Sequence, residues 1–199
     1  MEPALAAALG FFLGSIPFGL ILTRVAGLGD VRQIGSGSIG ATNVLRTGNK
    51  WIALATLLLD AGKGVAAVLI AAQIFPGFEG IAGVMAVAGH CYTPWLRFKG
   101  GKGFATAVGV CGALAWPIML ICAAIWITTV AITRTSSIAS LVCVSVAPVT
   151  AFAGSLIGWP EWSMVFLPLL AIQVIVFIKH EANIKRIIAG QEPKIGSGT

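Results

Sequence analysis

Three hydrophilic segments combine glycines with cationic or hydroxyl side chains, which suits the binding of phosphate groups. In the first segment, residues 35–48, three glycines fall within six residues and free the backbone N–H groups to converge on one point. Arg46 adds a planar guanidinium that matches phosphate oxygens bidentately. We interpret the segment as an anion site whose other candidate ligands are Ser36, Gly37, Ser38, Gly40, Thr42 and Asn43.

A simpler alternative for residues 35–48 is a flexible loop in which Ser38 or Thr42 caps a helix. A linker would not need asparagine, threonine and arginine beside its glycines. The spacing matches neither the Walker pattern nor the Rossmann fingerprint, so nucleotide binding is not favoured.

The second segment, residues 97–103, places two lysines among three glycines immediately before an apolar run that starts at Phe104. A helix N-terminus carries free N–H groups and partial positive charge, and it therefore binds phosphate well. The alternative is a basic stretch that only fixes membrane orientation, which explains the lysines but not the glycines. The candidate residues are Lys99, Gly100, Gly101, Lys102 and Gly103.

The third segment, residues 179–192, contains His180 and Asn183, which share a face if the preceding helix continues through them. His180 can act as a general base or position a substrate by hydrogen bonding, and both roles stay open. A solvated amphipathic helix end is an equal alternative. Ser137 and Ser140 can either cap a helix or face the same cavity.

Two further ionisable groups, Asp60 and Lys63, lie inside an apolar run and are spaced to pair on one helical face. Charged groups at membrane depth are expensive and often functional, but this pair is equally consistent with a structural role. His90 lies in the next apolar run and is predicted to make a hydrogen bond between helices. The cysteine spacing supports neither a metal site nor a disulfide framework, and no metal ligand set is predicted.

The elements that must carry these residues are membrane helices. The chain has 199 residues, of which 57% are hydrophobic and 10% charged, with a mean hydropathy of +0.95. A soluble domain has about a quarter of its residues charged. The apolar runs span residues 3–23, 51–75, 78–96, 104–133, 138–159 and 162–178.

The distribution of basic residues predicts how these runs cross. Most of the 13 lysines and arginines lie in residues 24–50, 97–103, 134 and 179–194. Short cytoplasmic loops are rich in such residues, and these four segments share one side only if residues 104–133 cross twice, with a break near Pro117. We therefore predict an all-α membrane protein with seven transmembrane helices, the N-terminus outside and the C-terminus cytoplasmic. A single long helix over residues 104–133 is the alternative.

In this order, the segments resemble the PlsY family of bacterial membrane glycerol-3-phosphate acyltransferases, which use acyl phosphate as donor. The resemblance extends over nearly the whole chain, as one domain over residues 1–199. It rests on residues 35–46, 60–64, 89–90, 98–103, 137–140 and 180–192.

The resemblance implies that Ser36, Arg46 and residues 99–103 form the substrate phosphate site. It also implies that the pocket is completed by Lys102, Ser137, Ser140, His180 and Asn183. Glu192 looks structural. Ser38 replaces an asparagine common in the family.

The implied reaction is direct acyl transfer to the 1-hydroxyl of glycerol 3-phosphate, without an acyl-enzyme. It takes place at the cytoplasmic face of the inner membrane, where acyl phosphate and membrane lipids are the other partners. It uses no metal or organic cofactor and no nucleic acid. A transporter for a small phosphorylated solute is the second hypothesis, although no inverted repeat is found.

Overall fold

The computed structural model describes residues 1–195, and within them the regular structure is helical, without a β-strand. It forms two compact units, unit 1 over Met1–Leu114 and unit 2 from Ala115 onward. Unit 1 contains α1 (Glu2–Gly14), α2 (Phe18–Val25), α3 (Ala41–Val44), α4 (Lys50–Ile74), α5 (Glu79–Cys91) and α6 (Phe104–Leu114). Unit 2 contains α7 (Trp116–Thr133), α8 (Ser136–Leu156), α9 (Ser163–Lys179) and α10 (Glu181–Ile188).

Close helix packing in unit 1 depends on small residues. Gly10 and Gly14 of α1 lie against the backbone of Ala82 and Ala86 in α5, where a Cβ on either glycine would collide with a carbonyl group. The same is true of Gly109 in α6, which touches the backbone of α4. Such contacts are typical of membrane helices, which associate by van der Waals packing rather than by exclusion of water.

The apolar run over residues 104–133 is divided into two helices, as predicted. Helix α6 ends at Leu114, and α7 begins at Trp116 with Pro117 in its first turn. Proline lacks an N–H group and is well tolerated only at a helix start, which explains the position of the break.

The first apolar run is also divided, which the sequence analysis did not predict. The break at residues 15–17 leaves backbone groups without helical partners, and side chains satisfy two of them. Thr93 Oγ1 donates to the Ser15 carbonyl oxygen (2.7 Å), and Lys63 Nζ donates to that of Ile16 (2.8 Å). Unpaired backbone groups are costly in lipid, so these contacts stabilise the break.

Five helical segments are long and apolar enough to cross a membrane by length and composition. Helices α5 and α6, with 13 and 11 residues, are shorter than a straight span of about 20 residues. The number of crossings and their orientation therefore remain predictions from the charge pattern. The five segments cover Glu2–Val25, Lys50–Ile74, Trp116–Thr133, Ser136–Leu156 and Pro160–Lys179.

Candidate active site

Asn43 holds the first glycine segment in shape. Its side chain is buried, and its Nδ2 donates to the carbonyl oxygens of Val31 (2.8 Å), Ser38 (2.8 Å) and Ile34 (3.2 Å). Its Oδ1 accepts from the backbone N–H of Ser36 (3.1 Å). One amide thus organises the backbone of residues 31–43, and these contacts are with the loop itself.

Arg46 lies beside Gly35 at the surface of this loop. A Cβ on Gly35 would collide with the Arg46 guanidinium and with Asn43 Oδ1, and Gly35 has a φ of +51°. Both the backbone conformation and the close approach therefore require glycine. Gly37 also has a positive φ, of +67°. The side chains of Arg46 and Ser36 are exposed, so both are accessible to an anionic ligand.

The alternative in which Ser38 or Thr42 caps a helix does not describe this loop. Gly40 is the N-cap of the short helix α3, and no side chain caps it. Ser38 Oγ instead accepts a hydrogen bond from the backbone N–H of Gly40 (3.3 Å). Thr42 is exposed within α3. Neither hydroxyl is therefore used as a helix cap.

The second segment leads into α6 as the sequence predicted, but two of its amides are already engaged. The backbone N–H groups of Gly100 and Gly101 donate to the carbonyl oxygens of Cys91 (3.2 Å) and His90 (3.0 Å) at the end of α5. Lys99 is exposed and Lys102 is half-buried. These two backbone amides are therefore bound within the protein and are not donors to an anion.

Asp60 and Lys63 pair as their spacing predicted, with Lys63 Nζ 2.7 Å from Asp60 Oδ1. Both side chains are almost fully buried in α4. His90, which the sequence predicts to contact a neighbouring helix, lies with its Nδ1 3.6 Å from the same carboxylate oxygen. That Asp60 is on the other side of this contact was not predicted, although a histidine and a carboxylate in successive apolar runs are a signal for it.

In unit 2, Glu192 accepts hydrogen bonds from polar side chains of α8 and α10. Its Oε1 accepts from Ser137 Oγ (2.7 Å) and from Asn183 Nδ2 (2.5 Å), and its Oε2 accepts from Arg186 Nε (2.7 Å). Ser137 and Asn183 are buried. Ser140, one turn later in α8, donates within its own helix to the Ser136 carbonyl oxygen (2.8 Å).

His180 lies at a break between two helices, so the condition under which His180 and Asn183 share one helical face is not met. Helix α9 ends at Lys179 and α10 begins at Glu181, with His180 between them at φ −100° and ψ 8°. His180 Nδ1 lies 2.8 Å from the Val176 carbonyl oxygen, which can only accept, so Nδ1 carries a proton. In the neutral ring Nε2 is then the nitrogen with the lone pair, as a base or an acceptor requires.

The contacts of Glu192 also set its ionisation. Partial burial by itself would raise the pKa of this carboxyl group, but hydrogen bonds from Ser137, Asn183 and Arg186 lower it below its ordinary value of 4.5. Since the folded-state pKa is depressed, the stabilisation is present above pH 4.5 and is lost as the pH falls through the folded-state value.

We therefore expect Glu192→Gln to lower the melting temperature of the detergent-solubilised protein at pH 7. The expected decrease is roughly 3–12 °C, since hydrogen bonds to a charged group contribute about 1.5–3 kcal/mol and each kcal/mol shifts Tm by about 2–4 °C. The difference from wild type should shrink below pH 4.5. Gln191→Ala is the control, because Gln191 is an exposed neighbour of Glu192. Equal Tm values for Glu192→Gln and the wild type at pH 7 would contradict a stabilising role for the Glu192 hydrogen bonds.

Within residues 1–195, no group of three or more His, Cys, Asp or Glu side chains is placed to hold a metal ion. The candidate residues carry guanidinium, ammonium, imidazole, amide and hydroxyl groups, and such groups bind and orient anions.

The family model described as glycerol-3-phosphate acyltransferase matches residues 4–190. The chain belongs to this family. Residues 4–190 contain all the candidate site residues from Ser36 to Asn183, whereas Glu192 lies just beyond the match.

Individual members of the acyltransferase family match the chain along its whole length. The glycerol-3-phosphate acyltransferase of Mesorhizobium japonicum is 53% identical over 193 residues, which cover 97% of this chain and 96% of the relative. The crystal structure of PlsY (YgiH), an integral membrane glycerol 3-phosphate acyltransferase, in its glycerol 3-phosphate form has a TM-score of 0.89 at 32% identity, covering 99% of this chain and 97% of that one. Its lysophosphatidic acid form gives 0.87 at 30%, with the same coverage. The resemblance to the PlsY family is thus confirmed.

Proposed function

We propose that this acyltransferase moves an acyl group from acyl phosphate to the 1-hydroxyl of sn-glycerol 3-phosphate. The products are 1-acylglycerol 3-phosphate (lysophosphatidic acid) and inorganic phosphate, and the reaction begins phospholipid synthesis. The observation that carries the proposal is the match, along nearly the whole chain, to PlsY in a glycerol 3-phosphate form and a lysophosphatidic acid form. These are the acceptor and the product of the proposed reaction.

In this proposal, residues of unit 1 neutralise phosphate. Two phosphate-bearing substrates repel each other, and fixed cationic groups offset that repulsion. Arg46 and Lys102 carry most of this effect, and Lys99 adds a further positive charge. Asn43 contributes by shaping the loop that presents Ser36 and Arg46. The remaining proposed binding residues of unit 1 are Gly37, Gly40, Thr42, Gly100, Gly101 and Gly103.

Residues of unit 2 orient the acceptor in the proposed reaction. His180 and Asn183 hold the glycerol backbone, and Ser137 and Ser140 support them. The contacts of Asn183 and Ser137 with Glu192 favour this role because they fix both side chains in place.

The proposed chemistry is a single displacement at the acyl carbon. The 1-hydroxyl oxygen forms the new ester bond, the bond between the acyl carbon and the phosphate oxygen breaks, and phosphate leaves with the bonding electrons. A substrate phosphate oxygen takes the hydroxyl proton. Positioning alone can supply about 7–11 kcal/mol in favourable cases, so an already activated donor does not require a strong protein base.

The proposed topology places the chemistry at the cytoplasmic face of the inner membrane. Seven spans, with the N-terminus outside, bring the basic segments of one acyltransferase domain to the same side. The acyl tail of the donor enters sideways from the bilayer between helices, which accounts for the use of a membrane scaffold.

An activity assay on the protein purified in detergent tests the proposal. With glycerol 3-phosphate as acceptor, we expect lysophosphatidic acid and phosphate from acyl phosphate, and no product from acyl-CoA or acyl carrier protein as donor. Transfer from acyl-CoA alone would overturn the proposed donor. Absence of transfer from all three donors, combined with solute uptake into vesicles, would favour the transporter instead.

Direct transfer forms no acyl-enzyme, so Ser36 should not become acylated although its hydroxyl is exposed. Incubation with acyl phosphate alone should leave the intact protein mass unchanged. Recovery of an acyl group on Ser36, at a level that decays when glycerol 3-phosphate is added, would contradict direct transfer and establish an acyl-enzyme.

A further inference from the structure

Three ionisable side chains meet at membrane depth in unit 1, and the proposed reaction does not use them. Asp60, Lys63 and His90 are 1%, 5% and 3% exposed. Lys63 Nζ is 2.7 Å from Asp60 Oδ1, and His90 Nδ1 is 3.6 Å from the same oxygen. Buried charges are costly unless they are paired, so this cluster needs a reason.

The need to balance buried charge explains the pairing of Asp60 with Lys63 but not the presence of His90. Asp60 and Lys63 already balance each other, and Lys63 also donates to the Ile16 carbonyl oxygen (2.8 Å) at the break between α1 and α2. That contact gives Lys63 a structural task. The Asp60 carboxylate does not require His90 to balance its charge, yet the His90 imidazole is in contact with it.

The other side of the His90 ring meets the second glycine segment. A Cβ placed on Gly101 would collide with His90 Nε2, and Gly101 is buried. The backbone N–H groups of Gly100 and Gly101 donate to the carbonyl oxygens of Cys91 and His90 (3.2 and 3.0 Å). The segment between Lys99 and Lys102 therefore packs against the last turn of α5 and is hydrogen-bonded to it.

We propose that Asp60 and His90 are positioning residues for the phosphate-binding segment 99–103. Asp60 holds one edge of the imidazole, and the opposite edge fixes the position of Gly101, so that Lys99 and Lys102 are held at a defined distance from the substrate phosphate. This inference rests on the proposed function, since it gives a role to the segment that the proposal assigns to phosphate binding.

Kinetics of His90→Ala provide the first test. This variant leaves the Asp60–Lys63 pair intact. The KM of one phosphate-bearing substrate should rise about tenfold or more, while kcat changes less than about threefold, because a small displacement of a binding group weakens binding steeply. An unchanged KM for both substrates would overturn the proposal.

A double-mutant cycle separates positioning from general destabilisation. Gly101→Ala should raise the same KM, because its new methyl group meets the imidazole. In His90→Ala/Gly101→Ala the ring is gone, so the two effects should not add. Strict additivity would overturn the proposal. Gly62→Ala is the matched control, since nothing lies within 4 Å of its added Cβ.

The role of Asp60 is tested with its charge partner removed at the same time. Asp60→Asn/Lys63→Met leaves no unpaired buried charge, whereas Asp60→Asn alone keeps the contact of Lys63 with the Ile16 carbonyl oxygen. A rise in KM that is common to both variants therefore reports the orientation of His90. We expect the same rise in KM as in His90→Ala. A wild-type KM in this double variant would show that the pair is only structural.

Hydrogen exchange provides a readout that does not depend on activity. In the wild type, the amides of Gly100 and Gly101 should exchange slowly, and in His90→Ala they should exchange faster while α4 stays protected. Unchanged exchange in His90→Ala would overturn the proposal. If the wild type lacked acyl transfer but this exchange result held, the proposed function would fail and the positioning of the segment would stand.

Discussion

Replacing Arg46 by alanine should lower the rate of acyl transfer by on the order of 10²–10³-fold, as expected when a preorganised group that stabilises developing charge is removed. The guanidinium lies beside Gly35 on a loop that Asn43 holds in shape, so its loss leaves the loop intact but removes the charge. The measurement is kcat/KM with acyl phosphate and glycerol 3-phosphate. Lys102→Ala should have an effect of similar size.

Arg32→Ala is the matched control for Arg46→Ala. Arg32 is an exposed arginine near the same loop and forms an ion pair with Asp30 (2.5 Å). The Arg32→Ala substitution removes one positive charge, as Arg46→Ala does, but at a position outside the proposed phosphate site. It should leave the rate of acyl transfer close to that of the wild type. Gel filtration of each variant checks that it remains folded. Near wild-type turnover of both Arg46→Ala and Lys102→Ala would contradict the anion site.

Replacing His180 by alanine should lower kcat by on the order of 10²-fold, because misplacing a reacting group by about 1 Å can have an effect of that size. A decrease of this size is expected because the His180 ring is buried and held in one orientation. Its Nδ1 donates to the Val176 carbonyl oxygen, and this hydrogen bond fixes the tautomer. The measurement is kcat at saturating concentrations of both substrates, over a range of pH.

The pH profile tests the proposed orienting role of His180 against the alternative that it acts as a base. If the ring only orients the acceptor, kcat of the wild type and of His180→Ala should change with pH in parallel. If it acts as a base, an ionisation present in the wild-type profile should disappear in the variant. Glu181→Gln is the control because Glu181 is exposed and contacts Lys185 (2.6 Å). Full activity of His180→Ala would refute both roles.

The sequence predicted those features that depend on local pattern. The apolar runs locate the long helices, Pro117 locates the break within residues 104–133, and the spacing of Asp60 and Lys63 predicts their ion pair. Each depends on helix periodicity or on the chemistry of one residue.

Most features that were not predicted depend on tertiary contacts. The break at residues 15–17 does have a local signal in Pro17, but the side chains that bond its carbonyl oxygens, Lys63 and Thr93, are distant in sequence. Spacing within one segment gives no sign that Asn43 bonds four backbone groups or that Glu192 joins two helices. The end of α9 at Lys179 likewise has no proline or glycine to mark it.

The proposed reaction requires the three polar segments, residues 35–48, 97–103 and 179–192, to lie at the same membrane face. Thr42→Cys, Phe98→Cys and Lys185→Cys place a thiol at an exposed position in each segment, and Glu161→Cys places one in a predicted outside connection. The native cysteines are buried, which limits background labelling. A membrane-impermeant maleimide is applied to intact cells and to inverted vesicles.

We expect the first three variants to react in inverted vesicles and not in intact cells, and Glu161→Cys to react in intact cells only. Labelling of any one of the three segments from the opposite face to the other two would contradict a single phosphate-binding face. The proposed acyl transfer would then lose its physical basis.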